Sequence, residues 1–590
     1  MISDKIYEWT VWVGEGRMTL AVRLACMSVI MTFVMGIYAF SQFTGLRNAE
    51  AMDQAQIAKC IARGEGFGTK YIRPADLFLL SKKTPSLCAD ASRLRDLRNA
   101  PLYPYLLAKA FAIAGAGKNE ISPGILERRV IIPFGVISLV IAGIFLFLST
   151  RLIFDDSAAL TAVTVFFVSS LVAGASISGT SVPLTMMLCM IVVYSALVSV
   201  RNINYGESAI RCFIPLIICG AGCGFAVLSS YAMIILPVLV VLYGVSQLAK
   251  MRVLWVVVIM LLAGVVTAPW LVRNATLTGN ITGSAFQSVL NNTSLGGDCF
   301  FDGSLSPDSS GYTIFRTIKS KLINSFSSGA LGNIRLAGEG IVICLFLASL
   351  LYWHDRPEQD ILKWCVFLVF AVAYAVDVLW YNGVANTMVV FYPLVVMMAS
   401  GYLFILLSKS EFADAGMRMI SILLLIGIVA LPLLLQVAAI RAPAQYPPYY
   451  TPFITYACGM LEKGEYIATD MPWATAWYGD KVSAALPDTP DKIAELNAKL
   501  GGGLKAIYLT TITSDRHLMS ELVDGKHKGW LPILSGNVPS DFNFSHAISF
   551  PPGKSHQIFL TDKQRWQNNS PARDKIDASA GADNRPTTKQ

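Results

Sequence analysis

Charge is scarce in this chain. Of its 590 residues only 15% are Asp, Glu, Lys or Arg while 54% are hydrophobic, against about 25% and 45–50% in soluble domains. Mean hydropathy is +0.54. The apolar surplus gathers in runs long enough to cross a bilayer, and these recur along most of the chain. That excludes a soluble enzyme and a single-anchor protein alike. Histidine is scarcer still, with five in all and only His354 outside the C-terminal stretch that begins at His517. The 11 cysteines form no CxxC pair and show no metal-ligand spacing. Gly (45) and Pro (27) are near average usage, which excludes collagen-like and low-complexity chains. No internal repeat is visible, which weighs against an inverted-repeat transporter. The first apolar run lacks a small-x-small site near Gln42, so it reads as a retained anchor and not a cleaved signal.

What is present is a polytopic helical membrane protein. Runs at 20–43, 130–150, 157–177, 182–200, 211–229, 231–248, 253–272, 339–353, 361–381, 387–407 and 418–440 predict about eleven transmembrane helices. Basic residues mark alternate loops: Lys5, Arg17 and Arg23, then Arg201 and Arg211, Lys250 and Arg252, His354, Arg356 and Lys363, and Lys409 and Arg418. All fall on one side if the N-terminus is cytoplasmic. Three segments then face outward: 44–129, 273–338 and everything after 440.

The first of these, 44–129, holds 14 Lys and Arg against 8 Asp and Glu, a net of +6. A basic surface beside a bilayer attracts phosphate-bearing lipids, although it also fits a merely solvated face. Asn48 to Arg63 reads as a helix stopped by Gly64 and Gly66. Glu50, Asp53 and Gln54 share one face of it, and Met52, Ile57 and Ile61 make an apolar side suited to the membrane surface. Two carboxylates directly after a span suit a proton acceptor with its partner, or else are the polar face of an amphipathic helix. Tyr71-Ile72-Arg73-Pro74 follows, then Arg98-Asn99-Ala100-Pro101-Leu102-Tyr103-Pro104-Tyr105, whose prolines suit a first helical turn. The apolar run from Leu106 to Ala116 is too short to span and would lie in the interface. Glu127-Arg128-Arg129 opens the second span. A Cys60–Cys88 disulfide within this loop is compatible with an oxidising side.

An acidic motif beyond the first span, a Pro-Leu-Tyr segment with a short apolar helix, and an Arg before the second span form a set. Thr267-Ala268-Pro269-Trp270-Leu271-Val272-Arg273-Asn274 adds a Pro-Trp-x-x-Arg-Asn sequence closing a middle span. In order and spacing over residues 20–410 the chain resembles the GT-C superfamily of membrane glycosyltransferases. The protein mannosyltransferases that use dolichyl phosphate mannose and the lipid A aminoarabinose transferases are the relatives it is most similar to. Matching their Ala-x-Ile to Ala55-Gln56-Ile57 puts Glu50 on the catalytic Asp position and Ala51 on its acidic neighbour; Asp53 has no fixed counterpart.

The resemblance implies sugar transfer from a polyprenyl-phosphate donor to a lipid, glycan or protein acceptor on the extracytoplasmic face. The membrane is a bacterial inner membrane by the same token, and no nucleic-acid partner is expected. With His354 on the cytoplasmic side and the other four histidines in the C-terminal segment, a membrane-embedded outer site relies on a carboxylate to take the acceptor proton while the anomeric carbon is attacked, with inversion. The leaving phosphate needs positive charge more than an acid. Glu50, supported or replaced by Asp53, is the candidate base. Arg73, Arg128, Arg129 and Arg273 are candidates for the lipid phosphate, or interfacial anchors. Gln54, Tyr103 and Asp377 are candidate substrate contacts, Asp377 because an ionisable residue inside a span is costly unless used. No cofactor is called for. Oligosaccharyltransferases of the superfamily use a divalent ion and the closer resembled families generally do not, and no carboxylate triplet here demands one.

Residues 1–440 thus read as the transmembrane unit and 441–563 as a small extracytoplasmic α/β domain, joined by the proline-rich stretch at 441–450. Within that domain, helices are predicted at 451–463, 490–500 and 514–523, and strands at 465–469 and 504–510. The polar tail 564–590 reads as disordered. The rival readings are a polytopic lipid or solute transporter, which would place charge at the midplane, and a non-catalytic scaffold that binds partners through the outer domain.

Overall fold

The computed structural model describes residues 17–84, 94–116, 121–285, 311–324, 337–354, 356–380, 386–409, 415–438, 451–487, 489–513, 522–525, 527–538, 542–550 and 557–566. Cys88, the stretch 441–450, most of the helix expected at 514–523 and nearly all of the tail lie outside these residues, as does any Cys60–Cys88 bridge.

The long apolar helices are α1 (Arg17–Gln42), α5 (Pro123–Ile153), α8 (Val182–Asn204), α9 (Ala209–Ser229), α11 (Arg252–Thr278), α14 (Pro357–Trp380), α15 (Thr387–Lys409) and α16 (Ala415–Ala438). The expected span at 157–177 is broken at Ser169 into α6 (Asp156–Val168) and α7 (Ser170–Ser178), bent by 57°. Shorter apolar helices α10 (Tyr231–Gln247) and α13 (Ala337–Leu350) stand where the remaining two spans were expected, with α12 (Gly311–Asn324) before the latter. The protein is a multi-pass integral membrane protein. Its spans meet through small residues, as helices in lipid do. A Cβ on Gly244 would sit 2.1 Å from Nε1 of Trp255, and that indole, buried between α10 and α11, donates to the Val240 carbonyl at 3.1 Å.

At one end of the bundle lie α2 (Ala49–Ala62), β1 (Tyr71–Ile72), α3 (Pro74–Lys83) and α4 (Leu102–Ile113), together with α17 (Thr451–Gly459), α18 (Pro472–Tyr478) and α19 (Lys492–Lys499). Strands β2 (Tyr466–Thr469), β3 (Ser483–Ala485), β4 (Leu504–Leu509), β5 (His546–Phe550) and β6 (Gln557–Thr561) complete a six-stranded sheet of order β1-β3-β2-β4-β6-β5. The first four in that order run parallel, β6 runs antiparallel to β4, and β5 antiparallel to β6. Strand β1 therefore comes from the loop after the first span, pairing Tyr71 with Ser483 and Ile72 with Ala484.

Helix α2 is not a membrane-surface helix with one wet face. Met52, Ala55, Ile57 and Ala58 are buried, and so are Asp53, Gln54, Gln56 and Lys59. It is walled in by α4 on one side and α18 on another. One apolar core runs from Met52 and Phe111 to Trp473, Trp477 and Phe559, with Phe111 and Trp477 stacked at 6.2 Å between ring centroids. Burying a side chain of this size is worth roughly 2–3 kcal/mol. Polar ties reinforce it. Glu127 accepts from Trp477 Nε1 at 2.7 Å, and Asp480 pairs with Lys70 at 2.6 Å, Arg63 at 2.9 Å and Lys59 at 3.5 Å.

Candidate active site

Asn48 starts α2 as its N-cap, accepting from the Glu50 amide at 2.9 Å. This places Glu50 in the first turn, where the exposed amides of a helix start favour negative charge. Asp53 follows one turn later, turned into the protein and 4% exposed. Its Oδ2 accepts from Arg73 Nη2 at 2.5 Å and Asn99 Nδ2 at 2.8 Å, and its Oδ1 from Gln56 Nε2 at 3.1 Å.

Arg73 reaches Asp53 because β1 ends just before it, and Pro74 then turns the chain into α3. Its guanidinium lies 3.9 Å from the centre of the Tyr71 ring and also faces Asp96 at 3.4 Å and Asp76 at 3.6 Å. Burial alone would weaken its hold on the proton; Asp53, Tyr71, Asp76 and Asp96 together outweigh that and hold it well above the usual arginine range. Asp96 is wholly buried and its carboxyl is pushed up to about 6, first by burial and then by Asp53, against the lowering influence of Arg73. Its Oδ2 accepts from the amides of Arg98 and Asn99.

Glu50 is held differently. It is half-buried, and its Oε1 accepts from Gln54 Nε2 at 3.0 Å. Burial raises its carboxyl to about 7, with the Asp53 charge adding to the rise and Arg98 opposing it. Gln54 is 3% exposed, and its carbonyl oxygen has no hydrogen-bond partner among the described residues. Tyr103 lies beside them: its hydroxyl donates to the Gly179 carbonyl at 2.7 Å, and burial, then the nearness of Glu50, raise it above the ordinary phenol range.

The end of α11 closes the cluster. Arg273 stacks on Trp270 at 4.3 Å and donates to the Asp96 carbonyl at 3.1 Å. Tyr231 Oη accepts from Trp270 Nε1 at 2.7 Å and Asn274 Nδ2 at 3.2 Å, and donates to the Asn99 carbonyl. The Pro-Trp-x-x-Arg-Asn segment thus meets the first loop at residues 96–99. Arg273 also lines a cavity of about 940 Å³ with Arg95, Lys70, Phe67, Tyr105 and Lys481. A second cavity, of about 560 Å³, opens at the other end of α2 around Tyr38, Arg47, Asn48, Ala49 and Ser178.

No family model matches the chain, and no curated protein does. Solved structures do. The oligosaccharyltransferase AglB of Archaeoglobus fulgidus, bound to an inhibitory peptide and a dolichol-phosphate, superposes with TM-score 0.58 at 12% identity, over 92% of this chain and 75% of that one. ArnT of Cupriavidus metallidurans, bound to undecaprenyl phosphate, gives TM-score 0.54 at 10% identity, over 93% and 99%. The fold is that of the GT-C membrane glycosyltransferases. A further structure of the Archaeoglobus protein, with Zn and sulfate, gives TM-score 0.57 at 14% identity, over 85% and 70%.

On this GT-C frame the sequence-chosen residues divide. Glu50, Asp53, Gln54, Arg73 and Tyr103 come together, and Arg273 joins them through Asp96. Arg128 and Arg129 stand apart: both are exposed in the π-helical turn Glu127–Ile131, and Arg128 borders an apolar groove of about 630 Å³ between α1 and α5. Asp377 has both oxygens engaged by the amides of Thr387 at 2.7 Å and Met388 at 2.9 Å, so it caps the start of α15. Asp76, Asp96 and Tyr231 are not among the sequence-chosen residues, and Arg98 and Asn99 enter there only as the start of the Pro-Leu-Tyr segment. Asp96-Leu97-Arg98-Asn99 carried a readable signal, a charged run just before the Pro-Leu-Tyr segment, whereas Tyr231 sits in an apolar run that carries none. Among the described residues no group of three His, Cys, Asp or Glu side chains could hold a metal ion, and both oxygens of Asp53 are already engaged.

Proposed function

We propose that this protein transfers a sugar from a polyprenyl-phosphate donor to an acceptor at the extracytoplasmic face, with Glu50 as the general base. The observation that carries this reading is the contrast between the two carboxylates of α2. Asp53 is spent on Arg73, Asn99 and Gln56. Glu50 keeps a proton affinity near neutrality beside the unpartnered Gln54 carbonyl. A base is most effective when its pKa lies near the working pH.

In the proposed reaction Glu50 removes the proton of an acceptor hydroxyl held by Gln54, and the oxygen attacks the anomeric carbon from the face opposite the phosphate. The carbon–oxygen bond to the carrier breaks and the sugar is inverted. Arg273 holds the departing phosphate, since Arg73 already serves Asp53. Its stacking on Trp270 and partial burial strengthen a bidentate grip that water would weaken. The orientation rests on the basic residues Arg201, Arg211, Lys250, Arg252, Lys409 and Arg418, which cap the opposite ends of the helices from the sheet.

Mass spectrometry of cell-envelope glycans and glycoproteins with and without the protein names the sugar and acceptor together; the expected result is the loss of one sugar residue. With that donor in hand, E50Q at normal expression is expected to lower kcat by about 100-fold or more. Unchanged transfer by both E50Q and D53N would overturn the assignment of the base to this pair, whereas no transfer by wild type and an unaltered envelope would favour a non-catalytic scaffold.

A further inference from the structure

Glu339 is a carboxylate placed where carboxylates are expensive. It lies in the first turn of the apolar helix α13, is 1% exposed, and turns toward the break between α6 and α7. An intramembrane charge persists only when something uses it. Its Oε1 accepts three hydrogen bonds, from Ser169 Oγ at 2.7 Å, Ser170 Oγ at 3.0 Å and the Leu171 amide at 3.1 Å. Its Oε2 has no partner among the described residues.

The break explains the arrangement. Ser169 is extended (φ −69°, ψ 129°), so α7 begins afresh and its first amides have no carbonyl one turn back. In lipid such amides are costly to leave unpaired. Glu339 meets one of them, the Leu171 amide, from a neighbouring helix and takes the two serine hydroxyls beside it.

The far end of α7 is Gly179, in the left-handed region at φ 72°. Its carbonyl is the acceptor for Tyr103. A Cβ there would lie 2.4 Å from Leu46 Cδ2 and 3.3 Å from the Ala51 side chain, so α7 ends directly against the residue that follows Glu50. One short rigid helix, nine residues long, thus joins the Glu339 clamp to the floor beneath Glu50.

We propose that Glu339 is a positioning residue: it fixes α7 at the broken span so that Gly179 holds Tyr103 and the first turn of α2 in register with the reacting atoms. This rests on the reading that Glu50 is the base, but the contact chain itself does not, and two measurements separate them. Hydrogen exchange of the full-length protein in detergent reads the chain directly. E339A is expected to raise exchange in peptides covering 169–180 and also in 49–56, while E339Q, which keeps an accepting oxygen, stays near wild type. Steady-state transfer reads the consequence. E339A is expected to lower kcat per folded molecule at least tenfold with the donor KM within twofold, and E339Q to recover kcat to within about threefold. Exchange that rises in 169–180 and stops short of 49–56 overturns the proposal. So does E339A with wild-type kcat per folded molecule, or E339Q no better than E339A. Should wild type transfer no sugar from any donor, the proposed function fails and the exchange data alone judge Glu339.

Discussion

Two carboxylates one helical turn apart are held by different partners. Asp53 meets a guanidinium and two side-chain amides. Glu50 meets one amide and partial burial. The raised Glu50 carboxyl binds a proton more tightly folded, at about 7, than in an unfolded chain near 4.5. Between those values the native state holds more protons than the unfolded state, so this group's contribution to stability declines as pH rises through the window and is gone above about 7. E50Q is accordingly expected to raise the midpoint of thermal unfolding at pH 8, by the equivalent of about 1–3 kcal/mol, and to leave it unchanged at pH 4.5. Transfer should run the other way, rising as Glu50 deprotonates and levelling off above about pH 8. A pH–kcat profile whose acidic limb survives E50Q would assign that limb elsewhere. Around Asp53 the test is the loss of its cation. R73A leaves Asp53, Asp76 and Asp96 facing one another without their shared cation, and removing one partner from a buried pair costs about 3–5 kcal/mol. A scan in detergent should show R73A unfolding well below wild type, with R73K in between because it cannot fork.

At the level of elements, the sheet and the broken span do what the sequence pattern alone could not announce. The helix at 49–62, its Asn48 cap and its glycine stop were legible because capping chemistry is local. So were the membrane helices, whose signal is twenty residues long. The burial of α2 on all sides was not legible, since α18, which covers one side of it, and the Asp480 and Trp477 that meet Lys59 lie hundreds of positions away. Nor was β1: two residues carry no period, and they become a strand only because Ser483 and Ala484 offer an edge. The break at Ser169 hides inside an apolar run. Gly179 shows how tight the result is. G179A must adopt φ 72° and push Leu46 aside, so it is expected to lose roughly 1–3 kcal/mol and to lower kcat. Thermal unfolding and turnover measured on one preparation check both. An unaltered midpoint would show that Leu46 and α7 yield easily.

Taken whole, the molecule has two anchors for one site: the bundle supplies Tyr231, Trp270 and Arg273, and the sheet supplies the end of β1 that aims Arg73. Removing residues 441–590 strips β1 of β3 and α2 of α18, baring Lys59, Arg63 and Lys70 without Asp480. The truncated chain is expected to insert in the membrane but to transfer nothing, and its loop at 44–122 to be cut by protease at concentrations that spare the full-length protein. A truncated form that kept activity would make the sheet an accessory. W477A is the milder version. It leaves Glu127 without its indole donor and opens the core against Phe111, a change of the size that costs about 3–5 kcal/mol.

The pairing of Tyr71 with Ser483 also governs when the protein becomes competent. A ribosome that has just made the first loop must still make roughly 400 residues before the neighbouring strand exists, and long-range pairing of this kind forms late. Until then Arg73 has no reason to point at Asp53. On the proposed reaction, a chain stalled or clipped before Ser483 is expected to be inert.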